Sequence, residues 1–358
     1  MSSAFPPASL AKPDDHRQSV AIYGHVQGVL WPAMVNHVYP LIGLPHHSAG
    51  AVECPSLESG GNGWDQAVEK EDFLGSCLTI PLKLQALSKV DVVDSVGLAT
   101  GCINTTYLRP SSLSSSSSSP PSSASSSALS RSSLIHIGTN TDAPALTAVL
   151  LSALLSLPTP FPPSSPRLFE PGKAAAFAIG GGGAVRATIY SLTQELGCET
   201  VFLLNRDVEE TRRVVETFSE VDVRAVESVE QAEKELGELE RRGVKLIVGV
   251  GAVPCKEPET EQEKRMYEVA RTLFRAPCER NGAGREGYLC LPEQRVFVDM
   301  AYKPRWTLFR KMADEAGWQT RCGSEVALEN AFEQIKLWTN IDVPAEARES
   351  ARMWLEEA

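Results

Sequence analysis

Apolar and polar positions run along the chain in blocks of changing period, and the changes outline the elements. A short apolar run at residues 20–23 stops at Gly24 and predicts a strand. After Pro32, the positions Met34, Val35, His37, Val38 and Leu41 fall at helical spacing, and a proline is well tolerated in a first helical turn. Residues 73–80 read as a strand closed by Pro81, residues 84–90 as a helix, residues 102–108 and 134–138 as strands, and residues 142–157 as a helix. Then come a strand at 174–179, a glycine turn, a helix at 185–196, a strand at 200–204 and a helix from about Val208. Residues 245–250 and 296–300 are further buried strands, and helices at 325–338 and 344–357 close the chain. Strands alternating with helices predict a parallel sheet with helical connections. No internal repeat is visible.

Two stretches interrupt the pattern. Residues 110–133 are almost entirely Ser, Pro and Ala, too poor in apolar surface to offset the entropy of ordering, and read as a disordered insertion between two strands. Residues 158–172 are dense in proline and predict a linker. With a Pro- and Ser-rich tail over residues 1–18, the chain reads as an α/β protein of two domains. Residues 19–157 form an N-terminal substrate domain with a mixed sheet. Residues 173–304 form a Rossmann-like, doubly wound nucleotide-binding domain, and residues 305–358 supply C-terminal helices that return to the first.

Composition narrows the function classes. Apolar residues make up 42% and charged residues 22%, ordinary for a globular protein, and 358 residues suit about two domains. The net charge of −11 disfavours nucleic acid or an anionic membrane as partner. No apolar run reaches the roughly 18 residues of a membrane span, and the N-terminus lacks the basic start and apolar core of a secretory signal. Eight cysteines occur with no C-x-x-C pair, so neither a metal site nor a redox motif is expected. A cytoplasmic protein with reduced thiols is the expectation.

The most informative local signal is AFAIGGGGAVRATIYSL. An apolar strand ends at Ile179, Gly180, Gly181, Gly182 and Gly183 follow, and Ala184 leads into a helix. Glycines permit the tight turn and the close approach of a pyrophosphate, and the helix N-terminus offers unpaired N–H groups to the anion. A plain glycine-rich turn is the bland alternative; the flanking strand and helix favour a dinucleotide. At the end of the next strand, Asn205 and Arg206 stand where the adenosine ribose would lie. Arg206 suits the 2′-phosphate of NADP, whereas an acidic residue there would select NAD, and Asp207 keeps NAD as the alternative.

Three motifs in the first domain place polar residues directly after apolar strands, where ligands sit in open α/β sheets. They are LTIPLK (78–83), CINTTY (102–107) and TNTDA (139–143). Singly each has a bland reading: Lys83 as a solvated lysine, Asn104 as a turn residue, Asp142 as a helix N-cap. In this order, before the glycine turn and the later DMAYKP (299–304) and KLWT (336–339), they resemble the shikimate dehydrogenase family over about residues 19–345. That resemblance implies reversible hydride transfer, dependent on NADP or NAD, between a ketone and a secondary alcohol of a small cyclic hydroxy acid. It makes Lys83 and Asp142 the catalytic pair, and puts Thr79, Asn104, Tyr302 and Asn330 at the substrate. The chemistry agrees: oxidising an alcohol needs a group to take the hydroxyl proton, and a lysine steered by a carboxylate does this.

The pattern also departs from the family. The two serines of its S-x-S-P clamp for the substrate carboxylate are Val29 and Trp31 here, before Pro32. An asparagine two residues before the motif threonine is Cys77, the family's glutamine on the last long helix falls at Asn330, and Gly249-Val250-Gly251 replaces N-[AC]-[ST]. His25 and Gln27 lie in the same loop as candidate replacements for the clamp, with a surface histidine as the plainer reading of His25. These changes leave three readings: a shikimate- or quinate-like dehydrogenase, a dehydrogenase of a related cyclic polyol in secondary metabolism, and a non-enzymatic regulator. The oligomeric state is not legible.

Overall fold

The computed structural model describes residues 18–58, 63–111, 133–156, 168–277, 288 and 294–357. The expected N-terminal tail, most of the serine-rich insertion and much of the proline-rich linker lie outside the described residues. By packing, the chain divides into a unit of Met1–Thr141 with Ala331–Ala358, and a unit of Asp142–Asn330.

The first unit is built on a six-stranded mixed sheet. Its elements are β1 (Ser19–Gly24), α1 (Trp31–Leu41), β2 (Ser48–Glu53), α2 (Gly63–Val68), β3 (Phe73–Leu78), β4 (Val92–Val93), α3 (Ser95–Thr100), β5 (Thr105–Pro110) and β6 (Leu134–Thr139). The strand order is β2-β1-β3-β5-β6-β4, and only β5 runs antiparallel to its neighbours. Residues 85–89 form a 3₁₀ turn where a longer helix was expected. Strands β2 and β4 lie at the two edges; each is held by one neighbour, so neither needs the apolar run that marks a central strand. Tyr23, Leu57, Trp64, Leu78, Leu82 and Ile103 form one core of this unit.

The second unit carries α4 (Asp142–Leu155), β7 (Ala174–Ile179), α5 (Gly183–Tyr190), β8 (Thr200–Leu204), α6 (Val208–Thr217), β9 (Asp222–Ala225), α7 (Val229–Arg242), β10 (Lys245–Gly251), α8 (Glu261–Phe274), β11 (Val296–Asp299), α9 (Leu308–Glu315), β12 (Gln319–Cys322) and the start of α10 (Gly323–Thr339). Its sheet is wholly parallel in the order β9-β8-β7-β10-β11-β12, the doubly wound Rossmann order. Strand β7 explains its unbroken apolar run. Ala174, Ala176 and Ala178 face one core with α4 and α5, while Ala175, Phe177 and Ile179 face the other with α8. A strand buried on both faces has no polar side to alternate with. The helix expected at 185–196 starts at Gly183 and ends in a π-helical segment over Ser191–Glu195.

Two placements differ from the sequence pattern. Helix α4 packs Leu146, Val149, Leu150 and Leu154 into the core shared with β7, so it counts with the second unit rather than the first. Residues 308–330 also count there, since β12 is the edge strand of the Rossmann-like sheet. Only the end of α10 and α11 (Ala345–Glu357) join the first unit. There Trp338 on α10 donates through Nε1 to the carbonyl of Thr106 at 2.9 Å, passing directly over Gly75. A Cβ on residue 75 would lie 2.1 Å from that carbonyl and 2.3 Å from Nε1, so only glycine lets the helix lie this close to the sheet. His37 of α1 stacks on Trp354 of α11 at 5.2 Å. Among the described residues no helix is long and apolar enough to cross a membrane, and no cluster of three His, Cys, Asp or Glu side chains is placed to hold a metal.

Candidate functional site

In the first unit, Thr79, Lys83 and Asn104 come from the segments that leave one end of the sheet. Thr79 N donates to Tyr23 O at 2.9 Å, Leu82 N to Thr79 O at 2.8 Å, and Ile103 N to Lys83 O at 2.9 Å. These bonds fix the backbone that carries Lys83 beside the backbone that carries Asn104. Lys83 itself is half-buried.

Asn104 is the best-defined member. Its Oδ1 accepts from Thr141 N at 2.7 Å, from Thr141 Oγ1 at 3.0 Å and from Thr105 Oγ1 at 2.9 Å. A backbone N–H can only donate, so the amide orientation is determined, and Nδ2 must point the other way. That Nδ2 is buried and has no hydrogen-bond partner. A buried, unsatisfied amide donor carries a cost of about 1–3 kcal/mol. Its geometry leaves it able to donate to one further acceptor.

The network continues to positions that sequence reasoning did not select. Gln334 Nε2 donates to Thr105 Oγ1 at 2.8 Å, and Gln334 Oε1 accepts from Trp31 Nε1 at 2.5 Å. Gln334 and Trp31 are both buried, and Trp31 meets Trp338 edge-to-face at 5.8 Å. Trp31, in the place of a clamp serine, is therefore a core residue whose single donor is already used. His25 does not replace the clamp either: it is exposed and its Nδ1 pairs with Glu53 Oε1 at 2.9 Å. Gln334 had one legible signal, its place one helical turn after Asn330 on α10.

In the second unit, Asp142 begins α4 and is buried; Asn330 Nδ2 donates to its Oδ1 at 2.9 Å. Asn330 thus reaches the carboxylate from a helix 188 positions later. Tyr302 is half-buried and follows β11 in the segment before α9, whose residues 303–306 are exposed.

The glycine turn sits at the C-terminal end of β7, where the strand order reverses between β8 and β10. Gly180 has φ +130° and donates to Leu204 O at 2.7 Å. A Cβ at Gly181 would lie 2.3 Å from Asn205 Nδ2, whereas Gly182, the exposed N-cap of α5, has open space on the same test. Gly183 and Ala184 open the helix. A turn without side chains, exposed at Gly182, ahead of a helix N-terminus fits a pyrophosphate. Asn205 Oδ1 accepts from Arg206 N at 2.9 Å. Asp207 Oδ1 accepts from Glu210 N at 2.9 Å and so caps α6. The Arg206 guanidinium is half-exposed and pairs with Glu263 of α8. Glu263 was not legible as part of this corner, because it lies 57 positions further on.

Asp299, at the end of β11, is buried. Burial pushes its carboxyl up to about 6, against the pull of Thr307 Oγ1 at 2.5 Å and Ala301 N at 3.2 Å. A carboxyl raised in the fold favours its protonated form there. Its contribution to stability is full below pH ~4, falls through the interval from about 4 to 6, and is level above. In urea unfolding, the stability of the wild type relative to Asp299→Asn should decline by up to roughly 3 kcal/mol across that interval. A relative gain over the same interval would instead mark a carboxylate stabilised by ionisation.

No protein-family model matches the chain. It is 25% identical over 347 residues to the quinate dehydrogenase of Emericella nidulans, a match spanning 93% of this chain and 91% of that protein. The dehydroquinate dehydratase and shikimate dehydrogenase piece of S. pombe AroM superposes with a TM-score of 0.65 at 23% identity. That match covers 95% of this chain but only 53% of the other, so the chain spans about half of that two-activity piece. Shikimate 5-dehydrogenase from Thermus thermophilus, solved with NADP(H) and shikimate, superposes with a TM-score of 0.60 at 24% identity, covering 94% of this chain and 99% of that one.

Proposed function

We propose that this chain, shikimate/quinate dehydrogenase-like in sequence and fold, is a cytoplasmic dehydrogenase of a small cyclic hydroxy acid of the shikimate or quinate kind, with NADP as hydride carrier. The observation that carries this reading is Asn104: a buried amide oriented by three hydrogen bonds, with its donor unpartnered beside the Lys83 backbone. Such a donor suits the ring hydroxyl of a polyol. The relative from Emericella nidulans is a quinate dehydrogenase and the Thermus thermophilus structure holds shikimate, which supports the substrate class.

Each residue then has a task. Lys83 takes the proton of the reacting hydroxyl during oxidation and returns it during reduction. Asp142, steadied by Asn330, orients that exchange and shares the proton. Asn104 and Thr79 hold neighbouring hydroxyls, and Tyr302 lines the substrate. When bound, the nicotinamide supplies the hydride chemistry. The glycine turn holds the pyrophosphate and Arg206 the 2′-phosphate.

Asp207 is occupied in capping α6, which favours NADP over NAD at this corner. Arg206→Ala should weaken NADP binding about tenfold or more while leaving NAD nearly unchanged, because a charge-assisted contact is lost only for the phosphorylated cofactor. Equal losses for the two in calorimetry would remove Arg206 from this role and bring NAD forward.

A second reading has its own support. The engaged indole of Trp31 stands where the family clamps a carboxylate, which favours a related cyclic polyol over shikimate itself. A panel of shikimate, quinate, their 3-dehydro forms and related polyols, run with both cofactors and followed by nicotinamide absorbance, separates the two. Dinucleotide binding without turnover of any member would favour the non-enzymatic regulator. Absence of both binding and turnover would end the dehydrogenase reading.

A further inference from the structure

The carboxylate of Glu263 gathers two cations. Its Oε1 pairs with Arg206 Nη1 and, at 2.7 Å, with Lys256 Nζ. Its Oε2 accepts from the backbone N–H of Glu259 at 3.0 Å and of Thr260 at 3.2 Å, and Thr260 returns the capping box through its own side chain. Glu263 is only 2% exposed. The Lys256 ammonium, the two backbone donors and Arg206 hold its carboxyl far below the usual carboxylate range, against the cost of burial. Glu263 is thus a buried carboxylate anchored by two backbone donors and two cations.

The two cations are placed differently from their anchor. The side chains of Arg206 and Lys256 are 55% and 50% exposed. Each pairs with the shared oxygen while about half of its side chain stays exposed. Around Glu263 two cations stand against one carboxylate, while the Glu210 carboxylate lies on the other side of Asn205, 3.3 Å from its Nδ2. Arg206 arrives there from the end of β8, and Lys256 from the segment between β10 and α8, 50 positions later in the chain. A carboxylate buried to this degree needs partners for both oxygens, and the two cations share one of them. Here a single buried carboxylate aligns two, side by side and open to solvent, beside Asn205 and the glycine turn.

We propose that Lys256 is a second ligand of the cofactor's 2′-phosphate, held next to Arg206 by Glu263. The proposal rests on the reading that NADP is bound at this corner. A phosphate monoester offers three oxygens, and a planar fork beside a compact ammonium matches it better than either alone. Glu263 is a positioning residue: it touches neither phosphate nor nicotinamide, and sets the spacing of the two groups that do.

Calorimetry on the full chain with NADP, NAD, 2′-AMP and 5′-AMP tests this. Lys256→Gln should weaken NADP and 2′-AMP about tenfold, the scale of one charge-assisted contact, and leave NAD and 5′-AMP within about twofold. Lys256→Arg should restore most of the loss, and the penalty should shrink as salt rises, because both partners are exposed to solvent. Lys256 and Arg206 act on one phosphate, so the double variant should lose less than the product of the two single losses. A loss shared by NADP and NAD, or none in Lys256→Gln, overturns the proposal. If Arg206→Ala still impairs NADP selectively in that case, the cofactor reading stands and only the role of Lys256 fails. If the wild type prefers NAD and 5′-AMP, both fall together.

Discussion

Lys83→Ala is expected to lower kcat by roughly 10²–10⁴-fold with little change in KM, measured on the best substrate of the panel with folding checked by thermal melts. That is the scale of removing one positioned acid–base group, and an unchanged KM follows if the ammonium contributes chiefly in the transition state. The backbone that carries Lys83 is bonded through Ile103, away from the altered side chain, so the variant should fold normally. Asp142→Asn should also lower kcat, and should raise KM as well, because a carboxylate accepts from a substrate hydroxyl more strongly than an amide does. The two losses should fall well short of multiplying, since residues acting as a unit are non-additive. A merely structural Asp142 at the head of α4 would cost about 1 kcal/mol of stability and leave turnover per folded molecule intact. A kcat near that of the wild type in Lys83→Ala would end the assignment of the pair.

Trp31→Ala is expected to produce the largest loss of stability. Trp31 is 4% exposed, packs edge-to-face on Trp338 and satisfies Gln334. Deleting a buried aromatic of this size costs about 3–5 kcal/mol, because the surroundings collapse only partly into the space. Denaturant unfolding should show this as a lower midpoint for the first unit. Trp31→Phe separates the polar share. It keeps most of the volume but leaves Gln334 Oε1 without its indole donor, at about 1–3 kcal/mol. Gln334 also bonds Thr105, which bonds the oxygen of Asn104, so Trp31→Phe should raise substrate KM more than it lowers kcat. A loss below about 1 kcal/mol in Trp31→Ala would show that the indole is not the core element its burial implies. If Trp31→Ser instead created tight shikimate binding, this one position would dominate the specificity change over the other departures at Val29, Cys77 and Asn330.

Much of the scaffold was legible without coordinates. The run AAAFAI is a central strand because all six positions are buried, and a run with no polar face has few other places to go. Thr200–Leu204 is legible for the same reason, and the three glycines between Ile179 and the helix that Gly183 opens mark their turn by backbone freedom alone. Thr79 follows the end of β3 and Thr141 the end of β6, as their motifs suggest, whereas Asn104 comes just before the start of β5 and reaches the same end of the sheet only because that strand runs antiparallel.

What the sequence could not supply were the partners that lie far apart along the chain. Trp31 and Gln334 are 303 positions apart, Gln334 and Thr105 229, Asp142 and Asn330 188, and Arg206 and Glu263 57. A hydrogen bond across such a span leaves no periodic trace, since neither residue type needs a particular neighbour in sequence. Edge strands β2 and β4 escaped for a related reason: their pairing comes from one neighbouring strand, not from an apolar pattern of their own. Helix α4 is apolar on nearly every side, so its pattern showed that it was buried, while only packing against β7 decided in which core. Local backbone preference and burial are written in short stretches of chain and determined the elements. The choice of which buried donor meets which acceptor is a property of the folded whole, and it alone turned Trp31 into core, oriented Asn104, and brought Lys256 beside Arg206.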